Sequence, residues 1–302
     1  MNIEAPTRAI DTRTAVEALV AAAKSGGYAP SIGNTQPWRW RLTGDTLDLH
    51  LERSRIRSAA DLDGRLATLS CGAALHHARV TMAAHGWDIT VTRMLQGADR
   101  DLLARLHVNH RSPADPTSAA LQRMIPGRHI DRRAAADSPL NPEALATITA
   151  AVEAEGTRLH TLRTDQILDL AAAVERAQLS AAADPARQAE LMYWTGLAAP
   201  NTDGTAPHGR GTVFIMLYGT ADEPLNWLRA GEALSAGWIS AAGQGVSVQP
   251  HSAPTETIAT REAMRAMIAR VGHPFLVLRL GMADPSGPGT PRLPTDQIIE
   301  RY

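Results

Sequence analysis

Lysine is almost missing from this chain: of its 30 basic residues only Lys24 is not arginine. That bias matches a GC-rich genome rather than a function, and Lys24 stands in no phosphate-cradling G-x-x-x-x-G-K-[ST] setting. Cysteine is equally scarce. The single Cys71 permits no internal disulfide and suits a reducing cytosol. Charge of one sign is lacking too, since the formal net charge is -1. A near-neutral balance argues against a nucleic-acid partner and against a membrane surface held by charge. No apolar run reaches the roughly 18 residues of a membrane span. The segment Met1 to Thr14 is polar with both charges, which is not the pattern of a signal peptide. These absences lead to the expectation of a cytoplasmic protein. There is no G-x-S-x-G nucleophile elbow. No G-x-G-x-x-G follows a strand; Gly243-Gln244-Gly245 closes a helix instead.

What is present begins with length. A chain of 302 residues builds one large or two ordinary domains around a substantial core. The most informative stretch is Ala29-Pro30-Ser31-Ile32-Gly33-Asn34-Thr35-Gln36-Pro37-Trp38. It follows an Ala-rich helical segment and leads into a strand-like run, Trp38 to Leu42. Pro30 and Pro37 punctuate it, and Gly33 gives backbone freedom. Taken alone it is also compatible with a simple turn capped by Ser31.

Two long segments read alike. Arg65 to Leu75 continues through Met82 to Gly86-Trp87 and into Asp88 to Val91. Leu228 to Leu234 continues through Trp238 to Gly245-Val246 and into Ser247-Val248. Gly72 and Gly231, Leu75 and Leu234, and Gly86 and Gly245 all share one spacing of 159 residues. Each segment predicts a small-residue helix that stops at a glycine and feeds a strand. Glu17 to Val20 resembles Glu143 to Ala146, each followed by a strand, at Trp38 to Leu42 and at Thr157 to Leu162. Leu102 to Val108 corresponds to Phe275 to Leu280. Ala-rich helices also resemble each other by composition alone, so chance similarity stays open beside duplication. A duplicated chain would divide as 1–112 and 113–302, with a linker over Asn109 to Pro116. The small residues of the two long helices would permit close packing at the centre.

The pattern A-P-S-x-x-N-x-Q-P-W resembles the flavin-contacting loop of the nitroreductase superfamily. The Pro291-Arg292-Leu293-Pro294 ending and the single loop per chain resemble the fused, dormancy-associated nitroreductase-like proteins of actinobacteria. The resemblance implies an α+β fold: a mixed or largely antiparallel sheet flanked by helices, duplicated within one chain as an internal pseudo-dimer. It implies FMN, one per chain, because nothing like the Pro30 to Trp38 loop follows the Glu143 helix. It also implies NAD(P)H as a transient electron donor, with a nitroaromatic, quinone or similar small molecule as acceptor.

Further expectations follow from that resemblance, residue by residue. Pro30, Ser31, Ile32, Gly33, Asn34 and Gln36 would line the cofactor, with Ser31 and Asn34 on the ribityl chain and ring edge. Arg128-His129-Ile130-Asp131-Arg132-Arg133 stands where the family has an Arg-x-Ser-x-Arg/Lys cluster. Arg128 would meet the phosphate and Arg132 the N1 and O2 side of the ring. Ile130 in place of Ser removes one expected hydroxyl, and such a charge run is also compatible with a solvated loop. Arg292 would be a further phosphate contact or, alternatively, an exposed tail arginine. The backbone of Gln249-Pro250-His251, after a strand, would approach N5 and O4. The segment 181–210 has no counterpart in the first half and is either a lid containing Trp194 or a surface excursion.

No residue is required as catalytic acid or base, since the flavin N5 carries the chemistry. His76-His77 and His107 to His110 do not make a metal site, because adjacent histidines on a helix face apart. Cys71 would be a small buried hydrophobe within its helix. The expected function is a ping-pong FMN-dependent NAD(P)H oxidoreductase of nitroreductase type; the alternative is a protein that stores FMN with little turnover.

Overall fold

The computed structural model describes residues 12–56, 61, 63–95, 97, 99–127, 138–177, 211–282 and 290–302. The first helix, α1 (Thr12–Gly26), buries Ala15, Ala18, Leu19, Ala22, Ala23 and Gly26. That spacing places all six on one face of a 3.6-residue period. A loop leads to the hairpin of β1 (Trp38–Thr43) and β2 (Thr46–Leu51). Buried and half-buried positions alternate along β1 and sink Trp38 and Trp40 into the core. Trp38 is therefore a core residue although it ends the diagnostic loop.

The long helix α2 (Arg65–Ala84) is preceded by Asp61, whose carboxylate accepts from Leu66 N at 2.9 Å and Ala67 N at 2.8 Å. An anion there answers the unpaired N–H groups of the first turn. Burial raises the Asp61 pKa even so, against the pull of these bonds. Then come β3 (Trp87–Arg93), β4 (Leu102–Arg111) and α3 (Pro116–Met124). Asp115 caps α3 through Thr117 N and Ser118 N, with Pro116 at its first turn. The expected linker from Asn109 to Pro116 is thus shorter in the structure. Asn109 to Arg111 are strand, with His110 and Arg111 opposite Asp88 and Trp87 of β3 and Asn109 at a bulge, and Pro116 opens a helix.

The second half holds α4 (Pro142–Ala154), β5 (Arg158–Thr161), α5 (Thr164–Ala177) and β6 (Val213–Gly219). It continues with α6 (Pro224–Gly243), β7 (Val246–His251), α7 (Ile258–Met267) and β8 (His273–Met282). A short turn of helix at Thr295–Ile298 precedes β9 (Ile299–Arg301).

Two sheets result. One runs β3-β4-β2-β1-β9 and the other β5-β6-β8-β7. Among the described residues all pairings are antiparallel except β1 with β9. Read from β1 and from β5, the order of the four main strands is the same. The strand at Trp38 to Leu42 occupies the place of the one at Thr157 to Leu162, and Leu102 to Val108 that of Phe275 to Leu280. The fold is α+β, as expected. The departure is at the C-terminus, where β9 leaves the second half and pairs Ile299 with Trp40 and Arg301 with Leu42.

Between the sheets, α2 and α6 pack against each other, with α1 on α2 and α4 on α6. Their contact is reciprocal. A Cβ on Gly72 would collide with the carbonyl of Leu228, and one on Gly231 with the carbonyl of Leu69. His76 Nδ1 lies 2.9 Å from Ser235 Oγ, a pair separated by the same 159 positions that relate the two glycines. Leu228 of α6 lies in the core of the first half, while Leu66 and Leu69 of α2 lie in the core of the second. Each long helix thus reaches into the core beneath the other sheet. Charge follows the same seam: Glu232, fully buried on α6, is held by Arg79 at 2.7 Å and by both Arg93 Nε and Nη2 at 2.7 and 2.8 Å. Arg65 reaches the second half through Asp222 at 2.9 Å and the carbonyl of Pro274. The helices end alike, with Gly86 at φ 71° and Gly245 at φ 67°, the left-handed geometry that closes a helix.

Candidate functional site

The loop after α1 is built from unusual backbone. Ser31 is extended at φ -139° and ψ 149°, and a short 3₁₀ turn covers Ile32–Asn34. Gly33, Asn34 and Gln36 then take positive φ, at 63°, 56° and 49°. Asn tolerates that region; Gln does so only when its surroundings compel it. The compulsion is visible in the bonds. Ser31 Oγ accepts from Gln36 N at 2.9 Å, folding the loop on itself. Ile32 N donates to Ser70 Oγ of α2 at 3.3 Å, and Ser70 donates onward to Leu66 O at 2.8 Å. The Cys71 thiol contacts Pro37 O at 3.3 Å, and full burial pushes its pKa far up, so it stays protonated. Ile32 packs on the core of the second half, so this first-half loop bridges to the other sheet.

The C-terminal segment comes to the same place. Asn34 Nδ2 donates to Pro291 O at 3.0 Å, and Arg292 Nη1 donates to Asn34 Oδ1 at 2.9 Å. Arg292 Nη2 donates to Tyr28 O at 3.1 Å, and Leu293 N donates to Gln36 Oε1 at 2.9 Å. Arg55 braces both partners, giving Nη1 to Gln36 O and Trp38 O at 3.2 Å each and Nη2 to Gln297 O at 2.8 Å. Burial lowers the pKa of Arg292 and of Arg55. Arg292 is half-buried, and among the described residues no carboxylate lies within ion-pair distance of it. Arg39, Arg79, Arg93 and Arg105 each have such a partner. A cation withdrawn from water without a counter-charge is costly, and an incoming anion relieves that cost.

Seven expected residues are therefore together: Pro30, Ser31, Ile32, Gly33, Asn34, Gln36 and Arg292. Gln249, Pro250 and His251 lie within β7 rather than after it, because each continues the pairing with β8, opposite Arg279, Leu278 and Val277. Strand alternation puts Pro250 on the face of Val246 and Val248, whose core receives Ile32. Gln249 and His251 share the other face, and the fully buried His251 ring sits 6.3 Å from that of Phe214. Arg128, Arg132 and Trp194, with the whole of 181–210, lie outside the described residues. Arg55 was not expected in the site, and no spacing rule connects it to Gln36 and Gln297. Ser70 and the Tyr28 carbonyl were equally silent in the sequence.

The second half has no such loop. Between α4 and β5 only Glu155 to Thr157 intervene. His76 and His77 face apart, His76 toward Ser235 and His77 with Nδ1 3.1 Å from Ser25 O. Among the described residues no three His, Cys, Asp or Glu side chains are grouped to hold a metal. No helix among them is long and apolar enough to cross a membrane.

Comparison with known proteins adds the following. A Mycobacterium tuberculosis protein named "Putative NAD(P)H nitroreductase Rv3131" is 34% identical over 307 residues, covering 90% of this chain and 88% of the relative. Another from the same organism, "Putative NAD(P)H nitroreductase acg", is 29% identical over 324 residues, covering 96% of this chain and 97% of its own. The solved structure of the FMN-dependent nitroreductase NfnB from Mycobacterium smegmatis in complex with NADPH aligns with 60% of this chain and 97% of its own. It does so at 13% identity and a TM-score of 0.42. No family model matches.

Proposed function

The chain belongs to the NAD(P)H nitroreductase family, and on that premise we propose that it is an FMN-dependent NAD(P)H oxidoreductase with one flavin site. The observation that carries the proposal is Arg292: a half-buried guanidinium bound, among the described residues, only to neutral oxygens, beside a strained polar loop. FMN fits such a place because its phosphate supplies the missing charge and its ribityl chain needs a hydroxyl partner such as Ser31. Arg128 and Arg132 belong to the same reading as further phosphate and ring contacts, and Trp194 as part of a lid.

When bound, FMN supplies the redox chemistry, accepting hydride from NAD(P)H and passing electrons to a nitroaromatic, quinone or related small acceptor. The chain's own task is to bind, orient and exclude water. Arg292 anchors the phosphate end. Ser31, whose oxygen accepts from Gln36 N, would offer its hydroxyl proton to the ribityl chain. Ile32, held against the second core, closes one apolar wall, and Pro250 lies on the facing strand. No proton need pass through a side chain.

The two-part organisation is read as two fused halves, 1–112 and 113–302, forming an internal pseudo-dimer. The matching strand order and the reciprocal α2–α6 contact support it. The loop occurs in one half only, which supports one flavin rather than two.

The test is an absorbance spectrum of the purified chain followed by anaerobic addition of NADPH and then NADH. Flavin bands at about one FMN per chain, bleached within seconds, are expected. Bound flavin that neither nucleotide bleaches would instead assign the protein to flavin storage. A colourless protein that FMN cannot reconstitute would remove both assignments.

A further inference from the structure

We propose that Asn34 and Gln36 are positioning residues that hold Arg292 for the phosphate, rather than ligands of the flavin. The inference rests on the FMN reading above and assigns these two side chains a different role within it. Both side chains are already directed elsewhere. The Asn34 amide spans the tail, taking a bond from Arg292 Nη1 and giving one to Pro291 O. Gln36, almost fully buried, takes the next backbone N–H of the same tail, that of Leu293. Three consecutive tail residues are thus gripped by two loop side chains.

The backbone explains why these two act together. Asn34 and Gln36 are the positive-φ, non-glycine residues of the loop. An L-residue enters that region only under constraint, and constraint of this kind gathers where a side chain must be aimed. Beneath them Arg55 ties Gln36 O and Trp38 O to Gln297 O, so loop and tail are also joined behind the amides. Farther along, β9 pairs with β1 and Glu300 binds Arg39 and Arg41 at 2.6 and 3.0 Å. Arg292 is suspended between these anchors.

Its own bonding leaves work to do. Guanidinium carries five N–H donors. Two bonds go to neutral oxygens, of Asn34 and Tyr28. The remaining donors face no acceptor among the described residues. A phosphate monoester matches the unfilled part of that fork in both charge and geometry. Two phosphate monoesters enter this chemistry, the 5′-phosphate of FMN and the 2′-phosphate of NADPH; the inference assigns the first.

The experiment is a flavin titration of the full-length, flavin-stripped protein, with FMN and with riboflavin as probes. Wild type is compared with Asn34→Ala, Asn34→Asp, Arg292→Ala and the Asn34→Ala/Arg292→Ala double variant. Arg292→Ala is expected to weaken FMN roughly 10- to 100-fold, the effect of losing charge-assisted bonds, and to leave riboflavin within about 2-fold. Asn34→Ala is expected to weaken FMN about 5-fold, yet less than about 2-fold once Arg292 is gone, since a residue that acts through another adds nothing in its absence.

Asn34→Asp keeps the size and the acceptor oxygen, so it carries the test should the alanine variant fold poorly. Its carboxylate pairs with Arg292 and competes with the phosphate. FMN therefore weakens at least as much as in Asn34→Ala, with riboflavin unchanged. Independent losses in the double variant, or equal losses for riboflavin and FMN, would show Asn34 touching the flavin itself and overturn the inference. Variants that raise KM for NADPH but not NADH, with FMN affinity intact, would reassign Arg292 to the nucleotide and overturn it too. A wild-type chain that takes up neither flavin would refute the FMN reading on which the inference stands.

Discussion

His76 shows what a single side chain at the seam of the two halves must do. It is buried, with Ser235 on Nδ1 and with Glu155 3.8 Å from Nε2. Burial, together with the charge of Arg79, lowers its pKa to about 4. In the unfolded chain the same group titrates near 6.5. Between those values the unfolded state takes up the proton and the folded state does not. Stability is therefore full above the unfolded pKa and falls as pH drops toward the folded one. From about pH 7.5 to about pH 5.5 this one group is expected to cost the native state about 1 kcal/mol. Urea midpoints at the two pH values check it. His76→Gln, which keeps a polar partner for Ser235, should flatten that part of the pH dependence; an unchanged slope would assign it to other groups. Residues of this sort are hidden in a sequence. The Pro30 to Trp38 loop is legible because its proline, glycine and amide signals are adjacent. Arg292 could be marked by its Pro-Arg-Leu-Pro setting. Arg55 and Ser235 carry no local mark, since what makes them matter is a contact with a distant segment.

At the scale of elements, the two long helices are held by what they lack. With hydrogen at Gly72 and Gly231, the α2 and α6 backbones approach to where a methyl group meets a carbonyl. Gly72→Ala is expected to destabilise the chain by about 1–3 kcal/mol or more through overpacking, despite the better helix propensity of alanine. Gly231→Ala should cost a similar amount, because it meets the equivalent carbonyl. A calorimetric melt lowered by several degrees checks each; an unchanged melt would mean that the helices can part without cost. The shared spacing of these glycines makes the helices readable from sequence. The strands at 46–51, 213–219 and 299–301 carry no clear sign in the sequence. The first lies just beyond a two-residue turn from β1 and merges with it in sequence. The second follows a long stretch with no counterpart in the first half. The third has only three residues and finds its neighbour, β1, across most of the chain. Non-local pairing of that kind leaves no periodic trace.

At the scale of the molecule, the C-terminal segment joins the halves more firmly than a tail would. It supplies Arg292, packs Leu293 and Ile298 into the first core, and ends as the edge strand beside β1. A chain cut after residue 289 is expected to lose FMN selectivity over riboflavin and to expose the β1 edge for pairing with other molecules. Flavin titration and light scattering measure the two effects. A truncated protein that stayed monodisperse and still preferred FMN would show the tail to be dispensable.

The return of β9 also sets an order in time. A ribosome delivers β9 (Ile299–Arg301) only after β1 (Trp38–Thr43) and all the elements between them. At about 5–20 residues per second, on the order of 10–50 s separate the two. During that interval the first sheet, able to begin folding as it emerges, carries a bare edge that β9 later covers. The same last residues carry Arg292. One event therefore closes the edge and brings Arg292 to the loop, so the proposed cofactor site is finished only once residues 291–301 have emerged.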